Sequence, residues 1–161
     1  MSLTSIISKL YFRPRWKELE HYKQGGAALQ NEVLRYLISR GKETEYGQSH
    51  YFPMMKGYED FAKFIPVNTY EELKGDIDRM RHGEKNILWP GEVKWYAKSS
   101  GTTNDKSKFI PVTPEGLKNL HYQGGGDVVA LYLRNHPESH IFEGRSLILG
   151  GSHSPTYDLP N

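Results

Sequence analysis

Apolar residues recur at helical spacing from the start of the chain. Leu3, Ile6, Ile7, Leu10 and Tyr11 predict a helix over residues 2–22. Pro14 is expected to break it, and a second turn carries Trp16, Leu19 and Tyr22. Gly25-Gly26 is a candidate loosening point. Leu29, Val33, Leu34, Leu37 and Ile38 share one face and predict a stronger helix over 27–40, with Gly41 as its C-terminal cap. These stripes read as faces of packing helices and carry no chemistry. Residues 43–64 lose the periodicity and are rich in aromatics: Tyr46, Tyr51, Phe52, Tyr58, Phe61 and Phe64. Short helical turns fit at 45–50 and 57–63. Such large side chains pack under loops more often than they bind ligands.

Extended character returns at Ile65-Pro66-Val67. Thr69 and Glu72 then form a Thr-x-x-Glu capping box for a helix over 70–82. Leu73, Ile77 and Met80 lie on one side of it, and Gly83 ends it. Ile87-Leu88-Trp89-Pro90-Gly91 reads as a turn into a strand at 93–97. A second strand follows at 108–112. Thr113-Pro114 starts a helix, a cap residue with proline in the first turn, carrying Leu117 and Leu120. Gly124-Gly125-Gly126 is expected to interrupt or kink it, at a cost of about 1 kcal/mol per glycine relative to alanine. Close packing, a ligand's approach or a plain break would each explain the glycines. Asp127 is a candidate cap for a segment over 128–135. Residues 146–149 predict a short buried strand. The small-residue loop Gly150-Gly151-Ser152-His153-Ser154 behind it lies where α/β proteins bind ligands.

One pentapeptide, Lys-Phe-Ile-Pro-Val, occurs twice, at 63–67 and 108–112. Each copy leads towards a threonine at a helix start. The flanks differ, so this is no sequence repeat, and only the second copy follows a loop of small residues.

Composition narrows the function classes. The chain has 161 residues, enough for one domain with a core, and a formal net charge of +2. Both signs of charge are spread along it, which argues for neither nucleic acid nor a membrane surface. Cysteine is absent, which removes disulfides, thiolate metal sites and cysteine nucleophiles and fits a reducing compartment. No apolar run approaches the ~20 residues of a membrane span, and the N-terminus lacks the pattern of a signal peptide. A cytoplasmic protein is the expectation. Nothing in the composition sets an oligomeric state.

The chemistry concentrates between the two predicted strands. Ser99-Ser100-Gly101-Thr102-Thr103 is an unbroken run of small and hydroxyl residues, followed by Lys106 and Lys108. Such a loop can turn backbone N–H groups, hydroxyls and ammonium groups towards one anion, with small side chains permitting close approach. A polyphosphate is the natural anion. The plainer alternative is a solvated hairpin loop rich in serine and threonine. Gly101, Lys106 and Ser107 approximate a P-loop, but Asp105 stands at the second glycine, and Phe109-Ile110-Pro111-Val112 cannot open the helix that motif requires. His136 and His140 flank Pro137 and do not form a helical metal pair. There is no Gly-x-Ser-x-Gly elbow and no dinucleotide fingerprint after a strand.

Residues 99–103 with Lys108 resemble the first ATP motif of the adenylate-forming superfamily. With Phe109-Ile110-Pro111-Val112-Thr113 behind them they are most similar to the auxin-responsive acyl-acid amido synthetases of plants and their bacterial relatives. The likeness extends upstream through Phe61-Ala62-Lys63-Phe64-Ile65-Pro66-Val67 and Tyr70-Glu71-Glu72-Leu73, and downstream to Ser146-Leu147-Ile148-Leu149-Gly150-Gly151-Ser152. Asp105 departs from it: a glycine is usual nearby, and a carboxylate there repels phosphate unless it turns outward or meets a metal.

The resemblance implies an α/β fold, the N-terminal portion of an adenylate-forming domain, helix-rich with a few strands around a strand–loop–strand phosphate loop. Residues 1–161 would be the N-terminal part of one large adenylating domain: helical over 1–92, strand–loop–strand over 93–112, helix and strand over 113–152. The C-terminal remainder, with the catalytic residues, would be absent. The implied activity is an ATP-dependent ligase that adenylates a carboxylic acid and conjugates it to an amine, an amino acid by analogy, with ATP and Mg2+. Ser99, Ser100, Gly101, Thr102, Thr103 and Lys108 are the implied nucleotide-binding residues, with Lys106 a second candidate cation, and no metal ligand is assigned. Two further readings stay open. One is a non-catalytic nucleotide-binding or interaction module, the other a structural α/β domain.

Overall fold

The computed structural model describes residues 3–99 and 108–149. The chain divides into two compact units, Met1–Gly25 with Lys118–Asn161, and Gly26–Leu117. In chain order the helices are α1 (Leu3–Gly41), α2 (Glu45–Ser49), α3 (Tyr58–Phe64) and α4 (Tyr70–Arg81). A 3-10 turn, Phe52–Met54, lies between α2 and α3. Strands β1 (Trp95–Lys98) and β2 (Phe109–Val112) follow, then α5 (Pro114–Gly116), a π-helical stretch (Leu117–Tyr122) and α6 (Gln123–Asn135).

Helix α1 runs through Pro14, and its one non-helical residue is Gly26, at φ +42°. The expected break at Pro14 is absent, and the loosening falls at the glycine pair. In the first unit, anchors lie on both sides of Pro14. The Phe12 ring stacks on Phe142. The Arg15 guanidinium donates to Asp127 at 2.9 Å, and the Trp16 indole N–H to the Ala130 carbonyl at 2.8 Å. These contacts offset the one backbone bond that a proline forfeits. Ala130 and Leu133 on α6 are buried. Gly124, Gly125 and Gly126 lie inside α6 with no break, and a Cβ on any of them would meet open space. Close packing therefore does not explain them. The irregularity comes earlier, in the π-helical stretch, and Asp127 serves as the partner of Arg15 rather than as a cap. The expected buried strand at 146–149 is not formed: residues 145–149 have no regular structure, and Leu147, Ile148 and Leu149 are 88%, 84% and 91% exposed. Among the described residues no strand lies beside them to accept their backbone groups.

The second unit holds a tighter core. Ile38, Ile77, Met80, Ile87 and Val93 are buried, and Leu88, Trp89 and Tyr96 pack partly buried against Met80, Ile87 and Val93. Each such side chain contributes about 1.5–3 kcal/mol relative to exposure. Helix α2 is seated by its own free N–H groups: Glu45 donates to the Asn86 carbonyl (2.8 Å), Tyr46 to the Ile87 carbonyl (3.1 Å) and Gly47 to the Thr44 hydroxyl (3.0 Å). Thr44 is 1% exposed, and its hydroxyl donates to the Gly41 carbonyl at 2.7 Å. A Cβ at Gly47 would stand 2.1 Å from that same carbonyl oxygen, so only glycine fits there. Arg79 forks onto both Glu45 oxygens at 2.8 and 2.7 Å and reaches Glu84 at 2.9 Å, tying α2 to α4. These bonds to Arg79 hold the Glu45 carboxyl below its ordinary value. At the start of α4 the Glu72 carboxylate accepts from the Thr69 backbone N–H at 2.6 Å and from its hydroxyl at 2.8 Å. The backbone bond chiefly lowers the Glu72 pKa.

Candidate functional site

Strands β1 and β2 pair antiparallel, Trp95 with Val112, Tyr96 with Pro111, Ala97 with Ile110 and Lys98 with Phe109. One step further Ser99 meets Lys108. The Ser99 N–H donates to the Lys108 carbonyl at 2.9 Å, and the Lys108 N–H donates to the Ser99 hydroxyl oxygen at 3.0 Å. Antiparallel ladders alternate bonded and non-bonded pairs. With 99–108 bonded, Phe109 and Pro111 fall at non-bonded positions and their nitrogens face away from β1. A proline there takes nothing from the ladder. The two expected strands are thus formed and paired, and Lys108 leads into a strand rather than the helix of a P-loop.

Helix α4 supports the outgoing strand. The outward Phe109 N–H donates to the Tyr70 hydroxyl oxygen at 3.0 Å. The Lys108 ammonium lies 5.5 Å from the centre of the Tyr70 ring. The Arg81 guanidinium covers the Phe109 ring at 3.7 Å, while pairing with Asp78 at 3.0 Å. The Lys98 ammonium is 5.8 Å from that same ring. Three cations therefore gather at the foot of the loop, held over aromatic faces. Among the described residues no carboxylate pairs with Lys108. The docking is completed by Tyr96, whose ring joins the Met80, Ile87 and Val93 cluster. Burial raises the Tyr96 pKa.

Of the sequence-predicted site residues, Ser99 and Lys108 are brought face to face. Ser99 is partly committed: its N–H belongs to the ladder, which leaves its hydroxyl proton to donate. Ser100, Gly101, Thr102 and Thr103 lie outside the described residues, as do Asp105 and Lys106. The structure adds Tyr70 and Arg81, which sequence reasoning missed as site residues. The capping box at Thr69 places Tyr70 at a helix start but gives no sign of its distant partner.

The profile of the GH3 family N-terminal domain matches residues 15–158. The chain belongs to the GH3 family. Among its relatives in Arabidopsis thaliana, the indole-3-acetic acid-amido synthetase GH3.15 is 31% identical over 121 residues, 74% of this chain and 20% of that protein. GH3.6, an indole-3-acetic acid-amido synthetase from the same plant, is 31% identical over 90 residues, 55% of this chain and 15% of that protein. A solved structure of the AtGH3.15 acyl acid amido synthetase in complex with 2,4-DB is similar with a TM-score of 0.67 and 28% identity, covering 74% of this chain and 21% of the other. The chain spans about a fifth of the length of the GH3 relatives it matches. The helix-rich α/β reading and the family resemblance both hold. No helix among the described residues is long and apolar enough to cross a membrane.

Proposed function

We propose that this GH3 chain supplies the ATP-phosphate-binding part of a ligase that adenylates a carboxylic acid and conjugates it to an amine of the amino-acid class. The observation that carries this reading is the hairpin foot: an antiparallel pair closed by Ser99 and Lys108, with the Lys108 ammonium unpaired by any described carboxylate. The relatives' activity, amido synthesis, supports the reaction class. On this reading residues 1–161 are the N-terminal part of one large adenylating domain, and the residues that hold adenine, ribose and the amine lie elsewhere in the protein.

The donor set suits a polyphosphate. Ser99, Ser100, Thr102 and Thr103 offer hydroxyls, Gly101 permits close backbone approach, and Lys108 offers charge. In the first step the carboxylate attacks the α-phosphorus and pyrophosphate leaves; in the second an amine displaces AMP from the acyl carbon. The loop's part is to hold the β- and γ-phosphates in line and to stabilise charge on the departing pyrophosphate. Magnesium, when bound, neutralises part of that charge; no residue of this chain is assigned to it. Substrates are small molecules, with neither nucleic acid nor membrane called for.

Carboxylate-dependent ATP–pyrophosphate exchange by the native protein tests the reading, with a panel of aryl and aliphatic acids. Exchange with any of them is the expected result. ATP binding without exchange would favour a non-catalytic nucleotide module. Absence of both would make the hairpin structural.

A further inference from the structure

We infer that Tyr70 is a positioning residue for Lys108, holding the ammonium and the start of β2 in the orientation that meets phosphate. The inference rests on the phosphate reading above. Lysine is a flexible point charge with several freely rotating bonds, so a lysine at a strand end is poorly directed by its backbone alone. Here one side chain constrains it twice. The Tyr70 hydroxyl oxygen accepts from the Phe109 N–H at 3.0 Å, which fixes the backbone next to Lys108. The Tyr70 ring lies 5.5 Å below the ammonium and restricts its swing.

Tyr70 is itself immobilised. It is the first residue of α4, directly after Thr69, whose backbone N–H and hydroxyl are both held by Glu72. At the far end of the same helix, Arg81 covers the Phe109 ring. The helix thus holds the start of β2 through both of its ends, at the Phe109 N–H and at the Phe109 ring. The ring attraction does not neutralise Lys108 as a carboxylate would, and among the described residues no carboxylate does so, which leaves the charge to an anion. That combination, direction without charge cancellation, is what a phosphate-facing lysine requires.

Three variants of the native protein separate the two constraints: Tyr70→Phe keeps the ring and drops the hydroxyl, Tyr70→Leu drops both, and Lys108→Ala removes the group being positioned. Magnesium–ATP affinity is read by calorimetry. Lysines are also labelled by reductive 13C-methylation, and the Lys108 signal is located by its loss in Lys108→Ala. The expected results are an upfield, ring-shifted Lys108 signal that survives Tyr70→Phe and vanishes in Tyr70→Leu. Amide exchange at Phe109 rises in both Tyr70 variants. Affinity falls about fivefold in Tyr70→Leu, and by less than about twofold when the same change is made in Lys108→Ala. An equal loss with and without Lys108, or a Lys108 signal indifferent to the ring, would overturn the assignment. A native protein that binds no ATP would overturn the phosphate reading instead, and the Lys108 signal would still decide whether Tyr70 directs the ammonium.

Discussion

The two copies of Lys-Phe-Ile-Pro-Val fold differently. In the first, Lys63 and Phe64 close helix α3, and only Ile65, Pro66 and Val67 leave the helix; Val67 is 99% exposed. In the second, Phe109 to Val112 form a strand paired to β1. The first Lys-Phe step faces its own neighbourhood, with the Lys63 ammonium over Phe64 and Phe64 against Tyr51. The second is gripped by α4, with Lys108 over Tyr70 and Phe109 under Arg81. Both copies tolerate their proline for local reasons. Pro66 lies past a helix end, and Pro111 turns its nitrogen away from the ladder. Five identical residues thus carry no commitment to helix or strand. The partner supplied by the rest of the unit makes the choice.

The two copies should part most sharply when the core is cut. Met80→Ala removes a buried side chain from the cluster that docks the hairpin on α4, and is expected to cost about 2–5 kcal/mol in a denaturant titration. Amide protection should fall over 109–112 and change little over 65–67; equal loss in both segments would mean the two copies share one support.

Charge removal comes next. Lys108→Ala should slow exchange between ATP and pyrophosphate about 10²-fold, the usual scale for one group that stabilises a departing charge. Lys63→Ala, the same substitution in the same local sequence, should change the rate by less than about twofold. Comparable losses would remove Lys108 from its assigned role.

A smaller effect tests the ladder geometry. Pro111→Ala should alter stability by no more than about 1 kcal/mol, because the new N–H faces away from β1. Ile110→Pro places the same ring at a bonded position and should cost about 3 kcal/mol. A cost for Ile110→Pro no larger than that for Pro111→Ala would mean that the Ile110 N–H does not pair with β1.

The smallest effect is in pH. Glu45 is held below the ordinary value of 4.5 by Arg79, and Glu72 by the Thr69 N–H. Their folded values are depressed, so their contribution is complete above pH 4.5 and is lost as pH falls through the folded values. A modest fall in unfolding midpoint on acidification is expected, flattened in part by Arg79→Met. Both carboxylates are exposed, so screening keeps the effect small. A slope unchanged in that variant would assign the acid loss to other groups.

Much of the helical fold was legible along the chain. The helix over 27–40, the cap at Thr69 and the Thr113-Pro114 start each follow from local spacing and local hydrogen bonding. So did the hairpin, because Pro111 excludes a helix after the loop and apolar runs flank it. The packing expected of the α1 stripes is not formed: Leu3, Leu10 and Val33 are 73%, 61% and 58% exposed, and of the residues named in those stripes only Ile38 is buried. Local reasoning failed where distant contacts intervened. Pro14 stays helical beside the Phe12, Arg15 and Trp16 anchors. The glycines of α6 stay helical too. Residues 146–149 have a strand's composition, but among the described residues they have no strand to pair with.

By itself the sequence determined the character of the loop, its small hydroxyl residues and its lysine, and the extended nature of its flanks. These follow from side-chain size, charge and the backbone limits of proline, which act within a few residues. Only the tertiary structure decided that Ser99 closes on Lys108, that Tyr70 and Arg81 grip the outgoing strand, and that one pentapeptide becomes a strand while its copy ends a helix. Those outcomes depend on groups up to 39 residues apart in the chain, as Tyr70 and Phe109 are. They meet because Met80, Ile87 and Val93 leave water together, and burial of apolar surface selects partners that local spacing cannot specify.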